Sequence, residues 1–258
     1  MRVLFLSIDL FGRGGIERYS RYELRELQRV LDAGALKVCS FTSPGADAAE
    51  DPPQVDVVGS GTSAVAKLRF ALAVWRLARR HGAQLIICDH VNLSPIAYAY
   101  RVLTRTPYWL NVYAIEVWRR LPRLRRLALI SAERVVSDCE FTKRFLERRY
   151  PRLAARSTVI WDCVDCEQFR PAAKDRTLER RLGLDGEFVL LTVSRLVRSK
   201  GHERVMEALQ KLRADAIPVT YLVIGEGPDR PRLEAISRRL GLEDCVHFVG
   251  NATPEALL

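Results

Sequence analysis

The chain has 258 residues, 48% of them hydrophobic and 28% charged, an ordinary balance for a soluble globular protein of one large domain or two ordinary ones. No apolar run approaches the roughly 20 residues of a membrane-spanning helix. The opening MRVLFLSIDLFGRGG also lacks the basic head and small-residue cleavage site of a secretory signal, so the expected location is cytoplasmic. The net charge of +10 favours phosphate-bearing substrates, nucleic acid or an anionic membrane without choosing among them.

In chain order, the first half alternates strand-like and helix-like stretches, the pattern of an α/β fold with parallel sheets. Strands are expected at Val3–Ile8, Ala35–Phe41, Leu85–Cys88, Tyr108–Tyr113, Arg134–Ser137 and Ser157–Ile160. Several are apolar without alternation, as strands buried on both faces are. Ile16–Leu31 places Ile16, Tyr19, Leu24, Leu27 and Leu31 near one helix face. Lys67–Arg80 gathers Leu68, Leu72, Trp75 and Leu77, and Thr142–Tyr150 reads as a helix halted before Pro151. A linker is placed in Gln168–Leu184, giving domains 1–172 and 173–258. The second half runs strand Phe188–Ser194, helix His202–Asp215, strand Val219–Ile224, helix Arg230–Leu240, strand Val246–Val249, half of a doubly wound nucleotide-binding domain. Thr253, Pro254 and Glu255 announce a further helix just before Leu258, which suggests truncation.

Glycine and charge collect where these strands end. Gly12-Arg13-Gly14-Gly15 follows the first strand and opens a helix, a setting suited to a phosphate or to a plain tight turn. Arg195 and Lys200 follow strand Phe188–Ser194, where a guanidinium can clamp two phosphate oxygens and an ammonium can act as a point charge. Gly225-Glu226-Gly227 and Val249-Gly250-Asn251 end the next two strands; a Glu226 carboxylate there could accept bonds from a ribose or base. The six cysteines are expected to be reduced thiols. Cys163 and Cys166 have C-x-x-C spacing, but no second Cys/His pair completes a tetrahedral metal shell, so no metal is expected.

The series SRLVRSKGHERVMEAL, YLVIGEGPDRPRLEAISRRLGLEDCVHFVGN and VIWDCVDCEQFRP, with GRGGIERY and VVSDCEFTKRFL upstream, resembles the retaining glycosyltransferases of family 4, or group 1. The resemblance implies the GT-B architecture, two Rossmann-like, doubly wound parallel-sheet domains, the second incomplete here. It implies sugar transfer with retention from a nucleotide-diphosphate sugar to a glycan or lipid-linked acceptor in envelope or exopolysaccharide synthesis, with neither metal nor other cofactor. Arg195 and Lys200 would hold the diphosphate, Gly14 and Gly15 would approach phosphate or acceptor, and Gly225, Glu226, Gly227, Val249 and Gly250 would border the nucleoside.

The chain departs from the family pattern at three places. Tyr113 stands where V-H-G-I-E-V-W has histidine; its hydroxyl can hydrogen-bond a sugar, or the ring can be a core residue. Asp162-Cys163-Val164-Asp165 replaces N-G-V-D, read as a turn variant. The family's E-x7-E glutamates find no counterpart before Leu258, so this form is expected to be weak or inactive by itself, with poor solubility from an uncovered half-sheet. Trp118–Leu127 and Lys67–Arg80 could dock on anionic lipid at the inner face of the membrane or form solvated helix faces. The alternative function is a non-catalytic nucleotide-binding module or subunit; a nucleic-acid partner is not expected, because no reading module is present.

Overall fold

The computed structural model describes residues 1–45, 52–167, 169–171, 173, 177, 180, 184 and 188–251. The chain forms two compact units, Met1–Cys163 and Val164–Leu258, dividing upstream of the boundary placed at 172. Most of the expected linker, and Thr253, Pro254 and Glu255, lie outside the described residues.

In the first unit the short apolar runs pair as parallel strands: β1 (Val3–Ser7), β2 (Leu36–Ser40), β3 (Val57–Val58), β4 (Leu85–Cys88), β5 (Tyr108–Val112), β6 (Arg134–Ser137) and β7 (Ser157–Val159). Their order is β3-β2-β1-β4-β5-β6-β7. Every residue of β1 is buried, with Leu4 and Leu6 in one core and Val3 and Phe5 in another, so the sheet is covered on both faces. At about 1.5–3 kcal/mol for each large apolar side chain removed from water, this central strand fixes the sheet. The order turns back beside β1, which places a crevice at the carboxyl ends of β1 and β4.

The helices are α1 (Gly15–Val30), α2 (Ala64–His81), α3 (Ser94–Thr104), α4 (Ala114–Trp118), α5 (Arg123–Ser131) and α6 (Glu140–Arg149). Ser63 caps α2 by accepting the Ala66 N–H, and Gly82 closes it with φ +63°. The buried side of α2 is Phe70, Val74 and Ala78. The expected stripe is corrected: Trp75 and Leu77 pack partly against the core, but Leu68 and Leu72 are exposed. Helices α3 and α4 were not expected, and α5 begins inside the stretch Trp118–Leu127 that was read as a lipid-docking or solvated helix face. In α3 the buried residues are Ser94, Ala97 and Tyr100 while Val102 and Leu103 face solvent, so its hydrophobic pattern runs against its burial.

The second unit contains β8 (Phe188–Val193), α7 (His202–Ala214), β9 (Val219–Ile224), α8 (Arg230–Arg239) and β10 (Val246–Gly250), close to the expected ranges. Its described sheet is parallel, in the order β10-β9-β8. Met206, Leu209, Leu233 and Ile236 from the helices pack on Tyr221, Val223 and Val246. On β8, Val189, Leu191 and Val193 alternate outward and are exposed. Among the described residues no helix is long and apolar enough to cross a membrane.

Candidate functional site

In the first unit the polar residues collect at the carboxyl ends of β1, β4 and β5. Asp89, directly after β4, is fully buried; its carboxylate accepts the Ile8 N–H at 3.2 Å and the Ser20 hydroxyl of α1 at 2.8 Å. Glu23, one turn along α1, accepts the Asn111 amide of β5 at 2.8 Å. Burial, with Asp89 as a like charge, raises the Glu23 carboxyl to about 7; burial raises Asp89 to about 6 against the hydrogen bonds that hold it. His90 receives the Asn92 N–H on Nδ1 at 3.0 Å, which leaves its proton on Nε2 to donate to Glu116 of α4.

Tyr113 caps α4 from the end of β5 and is 6% exposed, its ring edge-on to Tyr19 with centroids 6.3 Å apart. Its hydroxyl is buried, with no hydrogen-bond partner among the described residues. Ser20 lies near enough to ease its ionisation slightly, but the Ser20 proton is directed to the Ile16 carbonyl and Asp89. Burial first, then Asp89 and Glu23, push the Tyr113 phenol well above its ordinary value, so it is a donor and not a base. Tyr113 thus joins the core by its ring and the polar cluster by its hydroxyl.

The glycine turn is braced from within. Asp9 accepts the N–H groups of Phe11 at 2.9 Å and Gly12 at 3.2 Å, and Arg21 donates to the Leu10 and Gly12 carbonyls. A methyl on Gly14 would meet only the flexible end of Glu17, and one on Gly15 would meet nothing within 4 Å. The carboxylate of Glu17 therefore already lies beside the amino end of α1, where an anion was expected.

In the second unit the ends of β8 and β9 interlock by backbone. Leu196 N–H donates to the Glu226 carbonyl at 2.9 Å, and Asp229 N–H to the Leu196 carbonyl at 3.1 Å. Gly225, at φ +133°, lies so close that a methyl group would stand 2.0 Å from the Ser194 carbonyl oxygen; at Gly227 the corresponding distance to the Leu196 oxygen is 2.3 Å. These glycines serve the close approach of two loops. Gly250 N-terminal to Asn251 closes the edge by accepting the Gly225 N–H at 2.7 Å, and Val249 beside it is exposed.

Arg195 precedes, and Lys200 ends, the 3-10 turn Arg198–Lys200 that leads through Gly201 into α7. Both are exposed, and among the described residues neither pairs with a carboxylate. Their neighbours do pair: Arg232 grips Asp229 and Glu203, and Arg230 grips Glu226 and Glu234. Glu226 is thus engaged by Arg230 instead of standing free. Arg232 holds the Asp229 carboxyl below its ordinary range.

A buried chain that the sequence reading missed anchors this turn: the Ser194 hydroxyl and His202 Nε2 are 3.1 Å apart, His202 Nδ1 and the Tyr221 hydroxyl 2.9 Å, and Tyr221 donates to Thr192 at 3.0 Å. The only signal for it was histidine directly after Lys200-Gly201.

Cys163 and Cys166 are exposed and outside any disulfide, and among the described residues no three His, Cys, Asp or Glu side chains are grouped to hold a metal. A groove of about 570 Å³ lined by Arg101, Arg105 and Arg156 lies between α3 and α5, at the amino ends of β5 to β7 and away from the polar cluster.

Residues 13–168 match the family described as Glycosyltransferase Family 4, and residues 174–258 match Glycosyl transferases group 1. The chain is 34% identical over 178 residues to alpha-D-kanosaminyltransferase of Streptomyces kanamyceticus, a match covering 67% of this chain and 43% of that protein. It is 30% identical over 178 residues, with the same coverage, to 2-deoxystreptamine glucosyltransferase of the same organism. The chain spans less than half the length of these relatives. Among solved structures it resembles Anabaena HepE in complex with UDP-glucose, with TM-score 0.76 and 21% identity, over 98% of this chain and 70% of that one. Sucrose-phosphate synthase of Thermosynechococcus elongatus gives TM-score 0.75 and 18% identity, over 100% of this chain and 72% of that one. These two likenesses establish the GT-B fold.

Proposed function

The chain belongs to Glycosyltransferase Family 4, and from that premise we propose that it binds a nucleotide-diphosphate sugar through its second unit and serves sugar transfer to an acceptor bound by its first. The observation that carries this reading is the pair of exposed cations, Arg195 and Lys200, neither of which pairs with a carboxylate among the described residues, on the turn between β8 and the amino end of α7. There the guanidinium would bridge two phosphate oxygens, the ammonium would neutralise charge developing on the departing diphosphate, and the helix terminus would add its partial positive charge. Placed before substrate arrives, these groups favour the charge-separated transition state without reorganisation, and no metal or further cofactor is assigned to the step.

Retention at the anomeric carbon, a cytoplasmic location and a role in glycoconjugate synthesis belong to the same reading. So does docking on an anionic membrane: Trp118, Leu124 and Leu127 are exposed beside Arg119, Arg120, Arg123 and Arg126. Arg123→Glu with Arg126→Glu is expected to abolish sedimentation with vesicles rich in anionic lipid; unchanged sedimentation would remove the membrane role.

The primary test is calorimetric titration of the 258-residue chain with UDP, GDP and ADP, followed by transfer assays with the sugar form of whichever binds. Binding with transfer establishes the enzyme. Binding without transfer, even when acceptors are supplied, assigns the chain to a non-catalytic nucleotide-binding module. Failure of all three nucleotides to bind would overturn the reading.

A further inference from the structure

The loop 195–201 carries both exposed cations, Arg195 at its start and Lys200 near its end. Its first part is tied to the loop after β9 by backbone. Leu196 is fully buried, donates to the Glu226 carbonyl at 2.9 Å and accepts the Asp229 N–H at 3.1 Å. Among the described residues its last part has no backbone bond to another strand or loop. The N–H groups of Lys200 and Gly201 return to Val197 and Arg198 of the same loop, and Gly201, at φ +75°, opens α7 without a side-chain cap.

What holds that last part to the sheet is His202, which is 2% exposed. Tyr221 gives its one hydroxyl proton to Thr192 at 3.0 Å, so it can only accept from His202, and the Nδ1 proton is fixed on it at 2.9 Å. In the neutral ring Nε2 is then an acceptor, and the Ser194 hydroxyl at 3.1 Å supplies the proton. Thr192 belongs to β8, Ser194 follows it directly and Tyr221 belongs to β9, so one imidazole ties the first residue of α7 to two strands. Ser194 and His202 bracket the loop, and their bond closes its neck. The ring is too enclosed to touch a ligand; its effect passes through the turn.

Two linked phosphoryl groups need two cations at one spacing, whereas a single phosphoryl group is served by either cation alone. A spacing fixed beforehand therefore helps only the first kind of ligand, because less freedom is lost when it binds. We infer that His202 is a positioning residue: by closing the neck of the loop on Ser194 it holds Lys200 at a fixed spacing from Arg195, and so favours ligands with two linked phosphoryl groups over those with one. The inference rests on the reading of Arg195 and Lys200 as a diphosphate clamp.

The test is calorimetric titration of the full chain with inorganic pyrophosphate and with inorganic phosphate, beside UDP, GDP and ADP. His202→Ala is expected to weaken pyrophosphate binding about tenfold, the upper end of the worth of one neutral hydrogen bond, and phosphate binding less than about twofold. Ser194→Ala, which leaves the ring in place, should do the same, and Ser194→Thr, which keeps the hydroxyl, should restore the parent affinity. The double alanine variant should bind no more weakly than either single one, since both remove the same bond. If His202→Ala does not fold, Ser194→Ala and Ser194→Thr decide by themselves. Equal losses for pyrophosphate and phosphate, additive effects, or unchanged pyrophosphate binding in Ser194→Ala would overturn the inference, and nucleotide binding by the parent chain would leave the transferase reading standing. A parent chain that binds neither pyrophosphate nor any of the three nucleotides would remove that reading and the inference with it.

Discussion

At the carboxyl ends of β1, β4 and β5 the chain buries Asp89 and half-buries Glu23 and Glu116 near tyrosine rings, whereas after β8 it leaves Arg195 and Lys200 in solvent without carboxylate partners among the described residues. Both places are the edge where parallel sheets bind ligands, reached by the same strand-to-helix geometry. The difference lies in what surrounds that edge. A seven-stranded sheet covered on both faces holds its carboxylates at a desolvation cost, and the three described strands of the second unit present exposed cations at little cost. The acidic edge is therefore suited to selecting among donors of hydrogen bonds, and the basic edge to capturing a phosphate.

The largest way to break this comparison is to remove the cations. Arg195→Ala combined with Lys200→Ala is expected to weaken nucleotide-diphosphate binding by about a thousandfold, each lost charged bond contributing about 1.5–3 kcal/mol. The melting point should stay unchanged, since neither side chain pairs with a carboxylate among the described residues. A loss of both affinity and stability would show a structural role instead.

The glycines offer the next test, because the two loops use them differently. Gly225→Ala drives a methyl to 2.0 Å from the Ser194 oxygen at φ +133° and should cost about 2–4 kcal/mol of stability in denaturant unfolding. Gly15→Ala, with nothing within 4 Å, should change stability by less than about 1 kcal/mol, and in the favourable direction. Equal effects would mean that the first loop is as tightly packed as the second.

Glu23 sharpens the acidic side. Its carboxyl is raised in the folded state, so the folded protein holds the proton more tightly than the unfolded chain does. The associated stability is complete at acid pH and is lost as pH rises from the ordinary carboxylate range through about 7. Glu23→Gln should therefore match the parent at about pH 4 and exceed it by on the order of 2 kcal/mol above neutrality. A constant difference across that range would show that Glu23 meets a counter-charge.

Much of the fold was legible because buried parallel strands leave short unbroken apolar runs: Leu85–Cys88, Arg134–Ser137 and Val219–Ile224 begin and end where they were expected. The glycines and cations at strand ends were legible for a similar reason, since a turn into a helix restricts residue choice locally. Helix α2 was found but turned about its axis, because apolar residues lie on both Leu68 and Phe70 sides and periodicity alone does not choose between them. Helix α5 was read as a basic surface because arginine dominates it, although Ala128 and Leu129 anchor it to the core.

The sequence by itself determined the alternation of strands and helices, the turn glycines and the Arg195–Lys200 spacing, since each depends on residues within a few positions of one another. Only the tertiary structure decided that Glu23, Asp89, Asn111, Tyr113 and Glu116 share one largely enclosed edge, and that Glu226 is taken by Arg230 while Arg195 and Lys200 meet no carboxylate among the described residues. Those outcomes depend on strand order, which joins positions as far apart as Glu23 and Asn111, and on desolvation, which acts only once the chain has closed around them.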